Sequence, residues 1–409
     1  MTATPQDMER PSGEAPRFRR RVFYVPGYDP IHPRRYRELY RSEGRDQARI
    51  SGYQMDLKPK KTKGPYGWHV TGRMDGQTCE TDVEVLVWSD IVKTSMAQGI
   101  FATYMQLLRT AWVYIGSGVL FRLMRLRKGP MIAALYPIFA LLAQLAVAIT
   151  AGWGLGRLTA MVHPALGLVL GAGLSVLILR LFRRYDHKMF AYYLMHDYAY
   201  SAQANGANPP ELEARMFEFG KSIRQALDAD CDEVLVVGHS SGAHLAVSIL
   251  ADLIRAGLPQ GHGALAFLSL GQVVPMVSFL PNAHRLRADL HFLSARDELT
   301  WVDVTAPGDG CAFALCDPVA VTGVAPANQR WPLVLSAAFT QTLSPDRWRA
   351  LRWRFFRLHF QYLCAFDRPG DYDYFRITAG AQTLAARYAA RPASKSRITR
   401  AESRYRSMA

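Results

Sequence analysis

The chain has 409 residues, with 49 Lys and Arg against 34 Asp and Glu, and a formal net charge of +15. That length excludes a small disulfide-stapled scaffold: without the apolar middle and the tails, roughly 300 residues remain, enough for one large domain with a substantial core. The excess of basic residues suits an anionic membrane surface, and it argues against nucleic acid because no helix-turn-helix, zinc-finger or RNP-type motif accompanies it.

Residues 1–21 are polar and basic, lack the apolar core of a secretory leader, and are expected to form a disordered basic arm. The first part of the main domain, 22–95, opens with the strand-like run Val22-Phe23-Tyr24-Val25. It turns at Pro26-Gly27-Tyr28-Asp29-Pro30 and continues as a helix over Pro33 to Gly44. A hairpin region spans Met55 to Thr81, with a strong turn signal at Lys63-Gly64-Pro65-Tyr66-Gly67, and a further strand covers Val83 to Trp88. Within 96–128, the stretch Ile100 to Leu120 carries Phe101, Tyr104, Met105, Leu107, Leu108, Trp112 and Tyr114 with few charges. It is read either as an interfacial helix or as an amphipathic helix packed on the sheet.

Residues 129–182 stand apart. No charge occurs from Gly129 to Gly156, and after Arg157 none occurs from Leu158 to Leu179. Each run meets the roughly 20 apolar residues needed to cross hydrocarbon, so the pair reads as a transmembrane hairpin. Its outer flanks are basic, with Arg122, Arg125, Arg127 and Lys128 before and Arg180, Arg183, Arg184 and Lys188 after. The positive-inside rule then puts both ends in the cytoplasm and makes this an integral protein of the cytoplasmic (inner) membrane, its main domain on the cytoplasmic face. Gly167 and Gly171 form a small-xxx-small pair on which an alanine-rich first span can pack.

The second part of the domain, 183–390, contains a helix from Pro210 to Leu227, with Glu211 and Glu213 at its start as helix N-termini prefer. The β-favouring run Val234-Leu235-Val236-Val237 follows, then Gly238-His239-Ser240-Ser241-Gly242, then apolar residues at helical spacing: Leu245, Ile249, Leu250, Leu253 and Ile254. Strands are expected at Ala264 to Leu270, Leu299 to Thr305 and Trp331 to Ser336. A basic aromatic helix then carries His359, and 391–409 is a basic tail. Alternating strand and helix signals predict an α/β fold with a mostly parallel sheet and helices on both faces, interrupted by the hairpin. The strands on either side of the hairpin must join one sheet, so an even number of spans is required. Five scattered cysteines, Cys79, Cys231, Cys311, Cys316 and Cys364, make no disulfide framework or zinc spacing, so a reducing compartment, no metal and no cofactor are expected.

The sequence Gly238-His239-Ser240-Ser241-Gly242, between a strand and a helix, reads as a nucleophile elbow, and with its context it resembles the α/β-hydrolase superfamily. The resemblance implies a serine nucleophile, an acid after a later strand and a histidine beyond it, in that order. Ser240 is the nucleophile. Pro307-Gly308-Asp309-Gly310 offers Asp309 as the acid at a turn after its strand, with Asp303 as the alternative. Of eleven histidines, only His359 lies beyond the segments just after the elbow. The imidazole takes the serine proton and the carboxylate orients the imidazole. The oxyanion requires two N–H donors: Ser241 N–H beside the nucleophile, and Tyr28 N–H in the loop after the first strand. That loop has Pro26 where the family commonly has histidine. The implied activity is a membrane-anchored serine hydrolase cleaving an ester, of a lipid or another membrane-associated molecule, through an acyl-enzyme. The competing expectation is a hydrolase-fold membrane scaffold or binding protein without turnover.

Overall fold

The structure is a computed structural model that describes residues 17–409. The expected arm therefore lies, through residue 16, outside the described residues. Its last residues are not an arm: strand β1 (Phe18–Val25) starts four positions before Val22. The cause is Arg20, whose guanidinium is fully buried, binds Glu233 at 2.6 Å, and donates to the Gly380 and Gln382 carbonyls. A partner for each of its three nitrogens is what permits a charge inside the fold.

Strands β2 (Gln54–Pro59), β3 (Gly67–Met74) and β4 (Gln77–Val85) form an antiparallel meander. Strands β5 (Glu233–His239), β6 (Ala264–Leu270), β7 (Leu299–Thr305) and β8 (Leu333–Ser336) pair in parallel. One eight-stranded, mostly parallel sheet results, in the order β2-β3-β4-β1-β5-β6-β7-β8. Along β1 the side chains alternate between two cores. Val22 and Tyr24 face one with Tyr40 of helix α1 (Arg34–Ser51), and Phe23 and Val25 face the other. Burial of both faces explains why the parallel strands read as near-continuous apolar runs.

Between β4 and β5 the chain leaves the sheet through α2 (Ser89–Met96), α3 (Ile100–Ala111) and α4 (Val119–Leu126). It then forms α5 (Lys128–Ala160) and α6 (Pro164–Arg184) and returns through α7 (Asp186–Met189), α8 (Ala191–Ala202) and α9 (Pro210–Leu227). Helices α5 and α6 are long and apolar enough to cross a membrane. Their flanks are bare: Phe139 is 65% exposed and Leu168 75%. Core helices of a water-soluble domain would be covered there. Gly167 and Gly171 pack on a second glycine pair together with Ala160, whose Cβ a side chain on Gly167 would meet at 2.7 Å. A Cβ on Gly171 would stand 2.6 Å from the Gly152 carbonyl oxygen, and one on Gly167 2.6 Å from that of Gly156. At about 1.5 Å per residue, α5 is roughly 50 Å long against about 30 Å of hydrocarbon. The excess is used at its N-terminal half, where Met131 and Leu141 are buried against the rest of the molecule.

Helix α3 packs on α8 through Leu107, not on the sheet, and leaves Phe101, Met105, Leu108 and Trp112 bare along one stripe. The 391–409 segment packs as an extended strap. Asp317 N–H bonds Ile398 O at 2.9 Å, Glu402 N–H bonds Val321 O at 2.9 Å, and the Glu402 and Ser403 side chains are buried.

Candidate active site

Ser240 follows β5 at the point where the chain turns into helix α10 (Gly242–Arg255). Its φ is +56°, the left-handed region that a residue with a side chain adopts at a cost of about 1–3 kcal/mol. The surroundings impose that conformation. A Cβ on Gly238 would lie 2.7 Å from Ala243 Cα, and a side chain at Gly242 would collide with the Val25 carbonyl oxygen. Glycines at both positions let strand and helix close on the bend. The Ser240 N–H is tied to Leu270 O at 2.9 Å, at the end of β6.

Asp309 follows β7 on a turn closed by its own N–H to Ala306 O, and its carboxylate is buried. Oδ2 meets His359 Nδ1 at 2.7 Å and accepts from the Tyr362 hydroxyl at 3.0 Å, while Oδ1 accepts from Cys311 N–H at 2.9 Å. Burial alone would raise the carboxyl. The charge and hydrogen bond of His359, with the Cys311 and Tyr362 donors, outweigh it and hold Asp309 below the usual carboxylate range. Asp303 is placed differently. It is enclosed at β7, its Oδ1 accepts from Ser269 Oγ at 2.6 Å, and burial pushes its carboxyl up to about 8. Of the two candidate acids, Asp309 is the one joined to the imidazole.

His359 ends the short helix Phe355–His359. With Nδ1 engaged by Asp309, its buried Nε2 has no hydrogen-bond partner among the described residues, the Ser240 hydroxyl included. A buried ring nitrogen left open is costly unless something else occupies it during function. The ring lies beside the elbow: a Cβ on Gly271, the residue after Leu270, would stand 3.1 Å from His359 Cε1. Its centroid is 4.9 Å from that of His239, the neighbour of Ser240. His239 braces it from below, with Nε2–H donating to His359 O at 3.0 Å and Nδ1 facing the Tyr24 hydroxyl at 3.3 Å. Burial, with the His359 charge, drives His239 down to about 3, so this brace stays neutral.

Ser241 opens α10, and the Pro26–Pro30 loop lies across the elbow from it. A Cβ on Gly27 would come within 3.0 Å of Ser240 Cβ and 3.4 Å of its Oγ, so glycine leaves room for the Ser240 side chain. The loop is clamped. Trp88 Nε1–H donates to Pro26 O at 2.9 Å, Tyr36 O–H to Asp29 Oδ2 at 2.6 Å, and Tyr193 O–H to Tyr28 O. The buried Tyr28 ring places its hydroxyl on Ser95.

Tyr362 and His239 contact the Asp309–His359 pair, and the sequence reading did not single them out. Tyr362 was legible in part, since i and i+3 share a helical face with His359. Asp309, Cys311 Sγ and His359 also offer three donor atoms within 4.8 Å. Burial and the Asp309 charge raise the Cys311 thiol well above its ordinary value. No family model, curated protein or solved structure matches this chain.

Proposed function

We propose that the protein is a membrane-anchored serine hydrolase of α/β-hydrolase type, which cleaves an ester of a membrane-associated molecule through an acyl-enzyme. The reading is carried by one observation: a buried His359–Asp309 pair, its far nitrogen not bonded to Ser240 Oγ or any other group among the described residues, packed on His239 and Gly271 next to the strand-to-helix bend that holds Ser240 at φ +56°. In this reading Ser240 Oγ attacks the carbonyl and His359 Nε2 takes its proton. Asp309 holds the tautomer and stabilises the imidazolium. Ser241 and Tyr28 N–H groups receive the oxyanion, each contributing about 3 kcal/mol of transition-state stabilisation. His359 then returns the proton to the leaving alcohol, and water releases the acyl group by the same route.

A membrane-associated substrate is supported by where the acid loop sits. Gly310, next to Asp309, lies against Gly129 in the first turn of α5, so that a Cβ on Gly129 would stand 3.2 Å from Gly310 Cα. Phe355, nearly half exposed, packs on the other side of Gly310, and Trp353 beside it is 73% exposed. Aromatic and basic residues in this arrangement suit a headgroup boundary. The test is covalent labelling of the detergent-extracted full chain by a fluorophosphonate. Labelling that disappears in Ser240→Ala is expected; a folded wild-type sample that takes no label refutes the hydrolase.

A further inference from the structure

A cavity of about 610 Å³ opens at the surface between the last turns of α6 and the start of α3. It is lined by Ile100, Val176, Arg180, Arg183 and Arg184, so two apolar side chains meet three guanidiniums and no carboxylate. Val176, Arg180, Arg183 and Arg184 are spaced i, i+4, i+7 and i+8, which puts them on one face of α6. Arg183 donates to the Gln98 carbonyl at 2.6 Å and so ties that face to the residues leading into α3. Arg180 and Arg184 have no hydrogen bond or ion pair among the described residues. The nearest acid along the chain, Asp186, is engaged by the Tyr192 and Tyr193 N–H groups at 2.9 and 3.1 Å. The first turn of α3 holds neither an acidic residue nor a side-chain cap, so the positive end of that helix adds to the field of the arginines.

Two like charges at i, i+4 without a counterion oppose the helix that carries them, and an anion bridging them removes that repulsion. The planar guanidinium fork matches the paired oxygens of a phosphate. A free phosphate would satisfy the arginines and leave the apolar lining wet. That lining continues into surface that is already bare, at Leu177 and Leu181 of α6 and at Phe101 and Met105 of α3. Depth along α6, one of the two helices able to cross a membrane, agrees. Val176 lies roughly 6 Å from Arg180 at about 1.5 Å per residue, and the headgroup layer is about 5–7 Å thick on each side, so arginines among headgroups put Val176 at the edge of the hydrocarbon. We propose that this cavity binds an anionic phospholipid of the leaflet on the side of the sheet, with its phosphate on Arg180 and Arg184 and its chains along Val176. An ammonium-bearing headgroup finds no acid in the lining, so a lipid of net negative charge is preferred to a zwitterionic one. The site rests on the membrane anchoring proposed above and not on turnover.

The experiment mixes the delipidated full-length protein in detergent with phosphatidylglycerol or phosphatidylcholine and reads bound lipid by native mass spectrometry. Phosphatidylglycerol is expected to bind at least tenfold more tightly. That preference should largely vanish in Arg180→Gln/Arg184→Gln and persist in Lys61→Gln/Lys63→Gln, which removes the same charge from an exposed loop elsewhere. Inorganic phosphate at millimolar concentration should leave the lipid in place. Absence of any preference in the wild type overturns the site, whatever the variants do. So does a preference indifferent to the two arginines, or one lost equally in the lysine variant. Displacement by inorganic phosphate would mark a site for soluble anions and overturn the lipid. If the double arginine variant does not extract in folded form, each single change is read in its place, with a loss of about threefold expected and no loss in either overturning the proposal. An alkaline carbonate wash of membranes and fluorophosphonate labelling keep the readings apart. Protein that stays with the membrane and takes label, yet shows no lipid preference, loses only this site; lipid preference without label removes only the hydrolase. Release by carbonate removes the anchor and the site together.

Discussion

At the scale of single residues, the catalytic proposal depends on a chain of hydrogen bonds that runs from Tyr362 through Asp309 to His359 and ends at an open nitrogen. His359→Ala removes the base, and Asp309→Asn leaves the wrong tautomer, so each should lower ester turnover by about 10⁴-fold, read as kcat. Retention of turnover in both would remove the pair from the mechanism. A second residue-scale consequence concerns acid. His244, on the elbow helix, is buried with Nδ1 unpaired, and burial drives it down to about 4 from an ordinary 6.5. Below pH 6.5 the unfolded chain takes up a proton that the folded chain refuses until about pH 4, so stability falls as pH falls through that window. His244→Leu should flatten the slope of unfolding free energy by up to about 1.4 kcal/mol per pH unit there, measured by denaturant titration between pH 4 and 6.5. An unchanged slope would mean that the ring is protonated in the fold.

At the scale of elements, the contact between α5 and α6 depends on four glycines that bring backbone against backbone. Gly171→Leu has no free space to enter, because even a Cβ would press on the Gly152 carbonyl. Separation of the helices is expected, at a cost of about 1–3 kcal/mol from overpacking. It should appear as a loss of disulfide cross-linking between cysteines introduced at Ala148 and Ser175, whose hydroxyl bonds the Ala148 carbonyl at 3.0 Å. Cross-linking at the wild-type rate would show that the pair does not pack as described. The strand meander β2-β3-β4 illustrates the opposite case. Its order in the sheet follows from two turns, the Lys63–Gly67 turn that is plain in the sequence and one at Asp75-Gly76 that the structure adds.

For the whole molecule, the membrane reading makes a topological demand. With both basic ends of the hairpin on the side of the sheet, the connection around Met161 and Val162, both more than 80% exposed, must emerge on the other face. A membrane-impermeant thiol reagent should therefore reach Val162→Cys from outside intact cells and fail to reach Ser394→Cys until the membrane is opened. Equal access to both positions would take the hairpin out of the bilayer.

Patterns of short range carried most of what was legible along the chain. The hairpin is a run without charge, the elbow is a strand, a glycine-flanked serine and a helix, and the order of acid and histidine leaves one histidine to count. Each of these is decided by neighbours a few residues apart, where period and sterics act directly. Folding in three dimensions decided what separation along the chain conceals. It placed β1 in the middle of the sheet, between strands from either side of the hairpin. It drew Arg19 to Arg21 into that strand, because Glu233, 213 residues away, supplies the partner for Arg20. It joined Asp309 rather than Asp303 to His359, since Asp303 lies within β7 on Ser269 and only the turn beyond that strand brings a carboxylate to the imidazole. It also set Tyr193 of α8 on the Pro26–Pro30 loop, a placement that no local pattern encodes because it joins a segment 165 residues earlier. Local order is written in adjacent side chains; the meeting of distant ones is settled by which faces must be buried together.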